Sequence, residues 1–174
     1  GHITHGMLFA PYWPWQKSHR LHHTYTSHVQ KDHGHPWILE KVYAEWNGAN
    51  KFYAFNVVTS IIRWHMYTIA GVTDGSHFHP GSDLFSNTRE RIQCAVSGIV
   101  CCAWAYAAYL YFGTFSGWFW FYVLPVMAQG FWLTMVTYLQ HQTDDIHVYE
   151  DGTWGYVKGQ LQTVDRPYGF GIDQ

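Results

Sequence analysis

At 174 residues the chain is long enough for one domain, and its net charge of -2, with 13 histidines counted as neutral, offers no basic surface for nucleic acid. Aromatic residues make up 20% and charged residues 13% of it, against about 25% charged in an ordinary soluble domain. So few charges would struggle to cover a surface in contact with water.

The chain opens at Gly1-His2-Ile3 with no initiator Met and no charged and apolar leader. It stops at Gly171-Ile172-Asp173-Gln174 without a capping element, so it reads as a partial sequence. His2 and His5 form an H-x-x-H pair, a spacing common by chance among 13 histidines. The run His19-Arg20-Leu21-His22-His23 is different. Positions 19, 22 and 23 share one face of a helix, because neighbours three and four apart point the same way. Neutral imidazole suits iron, copper or zinc, so three on one face make part of a metal site. A solvated, histidine-rich helix end is the plainer alternative. Residues 28–50 read as loop with short helix, and His28, His33 and His35 within them are either partners that orient ligand imidazoles or solvent-facing side chains.

Residues 52–72 are apolar but contain Arg63 and His65, which favours an interfacial amphipathic helix over a membrane span. His77 and His79 flank a Gly/Pro-rich segment and read as loop. From residue 92 to residue 139 there is no Asp, Glu, Lys or Arg. A span needs about 20 apolar residues, so this run supplies two, 92–112 and 118–139, divided at Gly113-Thr114-Phe115-Ser116-Gly117. A buried hairpin of a soluble protein is the alternative. Pro125 and Gly130 are tolerable inside a membrane helix, and Trp118, Trp120, Tyr122 and Tyr138 suit interfacial belts. Cys94, Cys101 and Cys102 lie in the apolar run and read as small hydrophobic residues, not as a disulfide framework. Arg89 and Arg91 precede the first span while the turn carries no Lys or Arg, which orients both outer ends of the hairpin to the cytosol. His141 then emerges on the same face. Residues 140–174 are polar and read as a cytosolic segment. There is no phosphate-binding glycine loop, no C-x-x-C pair and no G-x-S-x-G elbow, so a metal is the only catalytic chemistry on offer.

These residues resemble a known family. His19-Arg20-Leu21-His22-His23, preceded by Pro11-Tyr12-Trp13-Pro14-Trp15-Gln16-Lys17-Ser18, resembles the second histidine box of membrane fatty acid desaturases. His79-Pro80 followed by Asn87-Thr88-Arg89-Glu90-Arg91 resembles the family's entry to its third membrane helix. Thr137-Tyr138-Leu139-Gln140-His141 resembles the segment closing the fourth. Trp154-Gly155-Tyr156-Val157-Lys158-Gly159 and Thr163-Val164-Asp165-Arg166-Pro167-Tyr168-Gly169 resemble the motifs that follow. The likeness is greatest to the methyl-end desaturases of delta-12 and omega-3 type. The family's first box should lie upstream of Gly1, where His2 and His5 do not match it, and its third box should follow Gln174.

The resemblance implies an all-α, multi-pass integral membrane protein with a cytosolic histidine-box di-iron domain, of which residues 1–174 are a part. It implies His19, His22, His23 and His141 as ligands to two iron ions, with O2 as co-substrate. The implied reaction is insertion of a cis double bond toward the methyl end of a phospholipid- or CoA-linked fatty acyl chain. A b-type cytochrome electron donor, membrane lipid around the spans and residence in the endoplasmic reticulum with the metal site facing the cytosol are implied with it. The 174-residue chain alone is expected to be inert, its histidine face wet. A related di-iron acyl hydroxylase, acetylenase or conjugase shares the same boxes, and a non-enzymatic membrane metal-binding protein is the rival of a different class.

Overall fold

The structure, a computed structural model, describes residues 1–35, 37–71 and 74–167. Val72, Tyr168, Gly169 and the Gly171-Ile172-Asp173-Gln174 end of the sequence therefore lie outside the described residues. Among those described, every regular element is helical and no strand forms; a single parallel bridge joins His28 to Tyr149.

Helix α1 (His2–Met7) is followed by α2 (Tyr12–Tyr25), which carries the histidine run. Pro11 caps α2 and Pro14 sits in its first turn, where a missing N–H costs nothing because that position has no intrahelical acceptor. Three short helices follow, α3 (Glu40–Glu45), α4 (Gly48–Phe55) and α5 (Val57–Ala70). The single helix expected over residues 52–72 is thus two, broken at Asn56. The Asn56 side chain accepts the N–H of Val58 and so starts a new helix. At 14 residues α5 is about 21 Å long, too short for a hydrocarbon core of about 30 Å.

Helix α6 (Thr88–Phe112) has 25 residues and reaches about 37 Å. Asn87 caps it by accepting the Glu90 N–H, and Gly113 closes it in the left-handed region at φ 70°, where a side chain would be strained. The chain re-enters helix at once. Thr114 accepts the N–H of Gly117, and α7 (Phe115–Trp118), a π turn (Phe119–Val123) and α8 (Leu124–Gln140) run on as one 26-residue helix. The apolar helices therefore start earlier than the sequence suggested, and the turn shrinks to two residues. The π turn has a local cause: Pro125 cannot donate to the carbonyl one turn back and its ring crowds that position. Leu124 donates instead to the Phe119 carbonyl, five residues back.

Near the turn, α6 packs on α7 and the π turn; further along, α6 packs on α1 and α2, and α8 on α5. Helix α2 runs antiparallel to α6, and α1 packs on α6 through Gly6. Gly6 faces Val100 and Trp104, the Trp13 N–H donates to Ser97 Oγ at 3.2 Å, and Lys17 pairs with Glu90. On the other side Gly130 lets α8 approach α5 closely, since a Cβ there would stand 2.8 Å from Thr68 Oγ1. The small buried core of Leu84, Phe85 and Cys94, with Leu21 against it, sits where α2 meets the start of α6. The apolar faces of the hairpin point outward: only 11% of the apolar stretch of α6 and 6% of that of the Phe115–Gln140 helix is buried. Cys94 and Cys101 are buried and Cys102 is exposed, all three as free thiols.

Candidate metal centre

Helix α2 presents His19, His22 and His23 to one cavity, as their spacing requires, and the C-terminal end of α8 brings His141 to the same place. The cavity, about 320 Å³, is lined by these four with Thr26, Thr137, Gln140, Gln160, Thr163, Val164 and Asp165. The His22 and His141 rings meet edge to face at 4.8 Å, and the His22 and His23 centroids are 5.6 Å apart. His19 and His23, one turn apart, bring their Nε2 atoms to 3.0 Å. His22 and His141 are buried, whereas His19 and His23 face the opening.

The four differ in how they are held. The His22 Nδ1–H donates to Asp32 Oδ1 at 2.7 Å, a carboxylate whose other partners are the backbone N–H groups of Ser27 and His35. His22 Nε2 is thereby left as the free nitrogen. His141 is anchored from behind by the segment after α8: Val164 N–H donates to the Gln140 carbonyl, and the Arg166 guanidinium donates to the carbonyls of Leu139 and Gln142. The bonds to the Leu139 and Gln140 carbonyls satisfy helix-end acceptors that have no intrahelical donor. Burial, then the neighbouring His22 and His23, push His141 down to about 4 against the opposing pull of Asp32. His19 is lowered too, by burial and then by His23 and His22. Both imidazoles are therefore neutral near pH 7, the form that binds a metal.

The remaining histidines separate into distinct roles. His35 lies beside His141 at 5.2 Å, its Nε2 accepting from the Gln142 side-chain amide at 3.1 Å, and burial together with His141 pushes it down to about 4. His28 is buried away from the cavity. Its Nδ1 accepts the N–H groups of Gln30 and Lys31, so its Nε2–H donates to Asp151, which also pairs with Lys31. His77, expected as a loop residue, is in a loop but buried, donating from Nδ1 to the Thr68 carbonyl at 2.9 Å. His79 is exposed, and His2 and His5 pack on Tyr12, away from the cavity lining.

The segment after α8 also lines the cavity, through Gln160, Thr163, Val164 and Asp165, and roofs it in part, while His19 and His23 stay exposed. Trp154 Nε1–H donates to the Thr26 carbonyl, and the Gln160 amide to the His23 carbonyl and Thr26 Oγ1. Helix α9 (Tyr156–Gln160) packs on α2 through Gly159. Sequence reasoning did not find Asp32, Gln160 or Asp165 as site residues. Asp32 carries no helical or strand spacing relative to His22, and the other two lie within motifs whose positions in space only the fold shows.

The chemistry of this donor set suits iron: all four donors are imidazoles, one is oriented by a carboxylate, and the Nε2 atoms of His19 and His23, at 3.0 Å, stand about as far apart as adjacent ligands at metal–nitrogen distances of about 2.1 Å. Among the described residues, no three His, Cys, Asp or Glu side chains close around a single ion.

A family model described as fatty acid desaturase matches residues 1–169. A Caenorhabditis elegans protein, Delta(12) fatty acid desaturase fat-2, is 49% identical over 178 residues, covering 99% of this chain and 46% of that protein. Omega-3 fatty acid desaturase fat-1 of the same organism is 47% identical over 174 residues, covering 99% and 43%. The sn-1 acyl-lipid omega-3 desaturase (ferredoxin) of Synechocystis is 33% identical over 174 residues, covering 98% and 48%. The chain spans about half the length of the curated relatives it matches. No solved structure matches it.

Proposed function

The chain belongs to the fatty acid desaturase family, and from that premise we propose that it carries out oxygen-dependent desaturation of a fatty acyl chain toward its methyl end. One observation carries this reading: the histidine run of α2 and His141 of α8 line a single cavity at the open end of an apolar hairpin.

In this reading α6 and the Phe115–Gln140 helix cross the membrane, two spans of a multi-pass protein. Their outward apolar side chains, Ile99 and Phe121 among them, would be a liability in water and are at home in hydrocarbon. Arg89 and Arg91 at the start of α6 set the histidine end on the cytosolic side. Endoplasmic reticulum residence agrees with the names of relatives from Vigna radiata and Nicotiana tabacum. The acyl chain, linked to phospholipid or CoA, reaches the cavity from the membrane side.

His19, His22, His23 and His141, with further donors, would hold two iron ions, which supply the oxidising power to remove hydrogen from an unactivated methylene, a bond beyond acid–base side chains. The chain's own residues prepare that site. Asp32 keeps the proton of His22 on Nδ1 and turns Nε2 inward. Burial keeps His141 neutral. The roof formed around Gln160 limits access of water. Two hydrogens leave the acyl chain with their electrons. Together with two electrons from a donor protein and two protons, they reduce O2 to two waters. The donor we propose is a b-type cytochrome, whereas ferredoxin is named for the Synechocystis relative.

The test is expression of the full-length protein in yeast with oleate and linoleate supplied, followed by gas chromatography with mass spectrometry of the acyl chains. A new cis double bond toward the methyl end is expected, and lost in a strain lacking the cytochrome. A hydroxylated product, or an unchanged profile with the protein well expressed, would contradict the proposal.

A further inference from the structure

We infer that Asp32 is a positioning residue of the metal centre: its buried carboxylate fixes the tautomer and ring direction of His22. The inference rests on the reading of His22 as a ligand and extends it to a residue outside every histidine motif.

Three donors converge on this one side chain. Oδ1 receives the His22 Nδ1–H at 2.7 Å and the His35 backbone N–H at 3.1 Å, and Oδ2 receives the Ser27 backbone N–H at 3.1 Å. The Asp32 side chain is 1% exposed and that of His22 8%. With two backbone N–H groups already aimed at it, the carboxylate acts only as an acceptor. His22 must therefore carry a proton on Nδ1, and as a neutral imidazole it has its lone pair on Nε2. The backbone bonds matter as much as the contact itself. Ser27, at φ 61°, holds a left-handed conformation costly for a residue with a side chain. Its N–H and that of His35 tie the loop between them into a frame around the carboxylate. The frame also places the His35 ring beside His141, at 5.2 Å. One carboxylate thus fixes the position of α2's buried histidine against the loop that backs α8's. An outer carboxylate bonded to a ligand imidazole in this way typically accounts for a 10–100-fold effect on metal affinity.

Cobalt(II) titration of the purified, metal-depleted full-length protein tests this, with four variants forming a cycle: wild type, Asp32→Asn, His22→Ala and the double variant. Near-UV circular dichroism of each metal-free protein reports folding separately. The expected result is cobalt binding about 10–100-fold weaker in Asp32→Asn. In the His22→Ala background the same change should cost less than about twofold, because a residue acting through His22 has nothing left to position. Nitrogen NMR of histidine-labelled protein should show the His22 Nδ1–H tautomer in wild type and its loss in Asp32→Asn. Wild-type cobalt affinity in Asp32→Asn, or an equal loss with and without His22, would overturn the inference while leaving the ligand reading standing. Undiminished affinity in His22→Ala would overturn both.

Discussion

Gly159→Ala should undock the roof of the cavity, although it adds one methyl group. The new Cβ would fall on the Thr26 carbonyl oxygen, well inside contact distance, and 2.9 Å from Trp154 Nε1. The first of these is backbone, so it cannot swing aside, and α9 must lift. Lifting breaks the bond from Trp154 Nε1 to the Thr26 carbonyl and the two from the Gln160 amide, to the His23 carbonyl and Thr26 Oγ1. At roughly 0.5–1.5 kcal/mol net for each, the loss is about 2–4 kcal/mol, which shifts the docked population by about 30- to 1,000-fold. Gly155→Ala is the matched control, because its added Cβ meets only the Lys158 side chain, at 3.9 Å. Limited proteolysis of the full-length protein in detergent should cleave the Gly159→Ala roof rapidly and leave that of Gly155→Ala near wild type. Product formation in yeast should fall at least tenfold in the first variant alone. Equal protection and equal activity in the two variants would refute the close packing of α9 on α2.

Acidification should destabilise the metal-free protein. Burial holds His35, His77 and His141 at about 4 in the folded state, against about 6.5 unfolded. Below pH 6.5 the unfolded chain therefore binds protons that the folded chain refuses. The thermal midpoint in detergent should be flat from pH 8 to 7 and fall between pH 6.5 and 5, with an upper bound of about 2 kcal/mol for each imidazole at pH 5; a midpoint that rises on acidification contradicts this. Topology has its own check: single cysteines in a cysteine-free background should be labelled by an impermeant reagent from the lumen at Ser116 and from the cytosol at Asp144. Labelling of both from one side would overturn the hairpin.

Much of this arrangement is legible before any coordinates. The helical spacing of 19, 22 and 23 alone puts three imidazoles on one face. The chargeless run from residue 92 to residue 139 marks two long apolar helices, and Gly113 marks their turn. What escapes is whatever depends on a loop folding back. Asp32 lies ten residues beyond His22 with no periodic relation to it, and only the turn at Ser27 brings the two together. The sequence leaves His28 open between an orienting partner and a solvent-facing side chain and reads His77 only as loop, because their burial shows only once their partners, Asp151 and the Thr68 carbonyl, are located. The break at Asn56 hides inside an apolar stretch, since an asparagine reads as a cap only when the backbone on either side is known to change direction. The roof is held chiefly by side chains bonding to backbone carbonyls, a kind of contact that no residue pattern records.

The most direct test of the account is to measure iron per protein and acyl product together across single alanine variants of the full-length protein, each purified from yeast at matched level. The account predicts that His19→Ala, His22→Ala, His23→Ala and His141→Ala each lose iron and abolish the new double bond, whereas His2→Ala, whose ring packs on Tyr12 and Trp13, keeps most of both. Wild-type iron and product in His22→Ala or His141→Ala would contradict it.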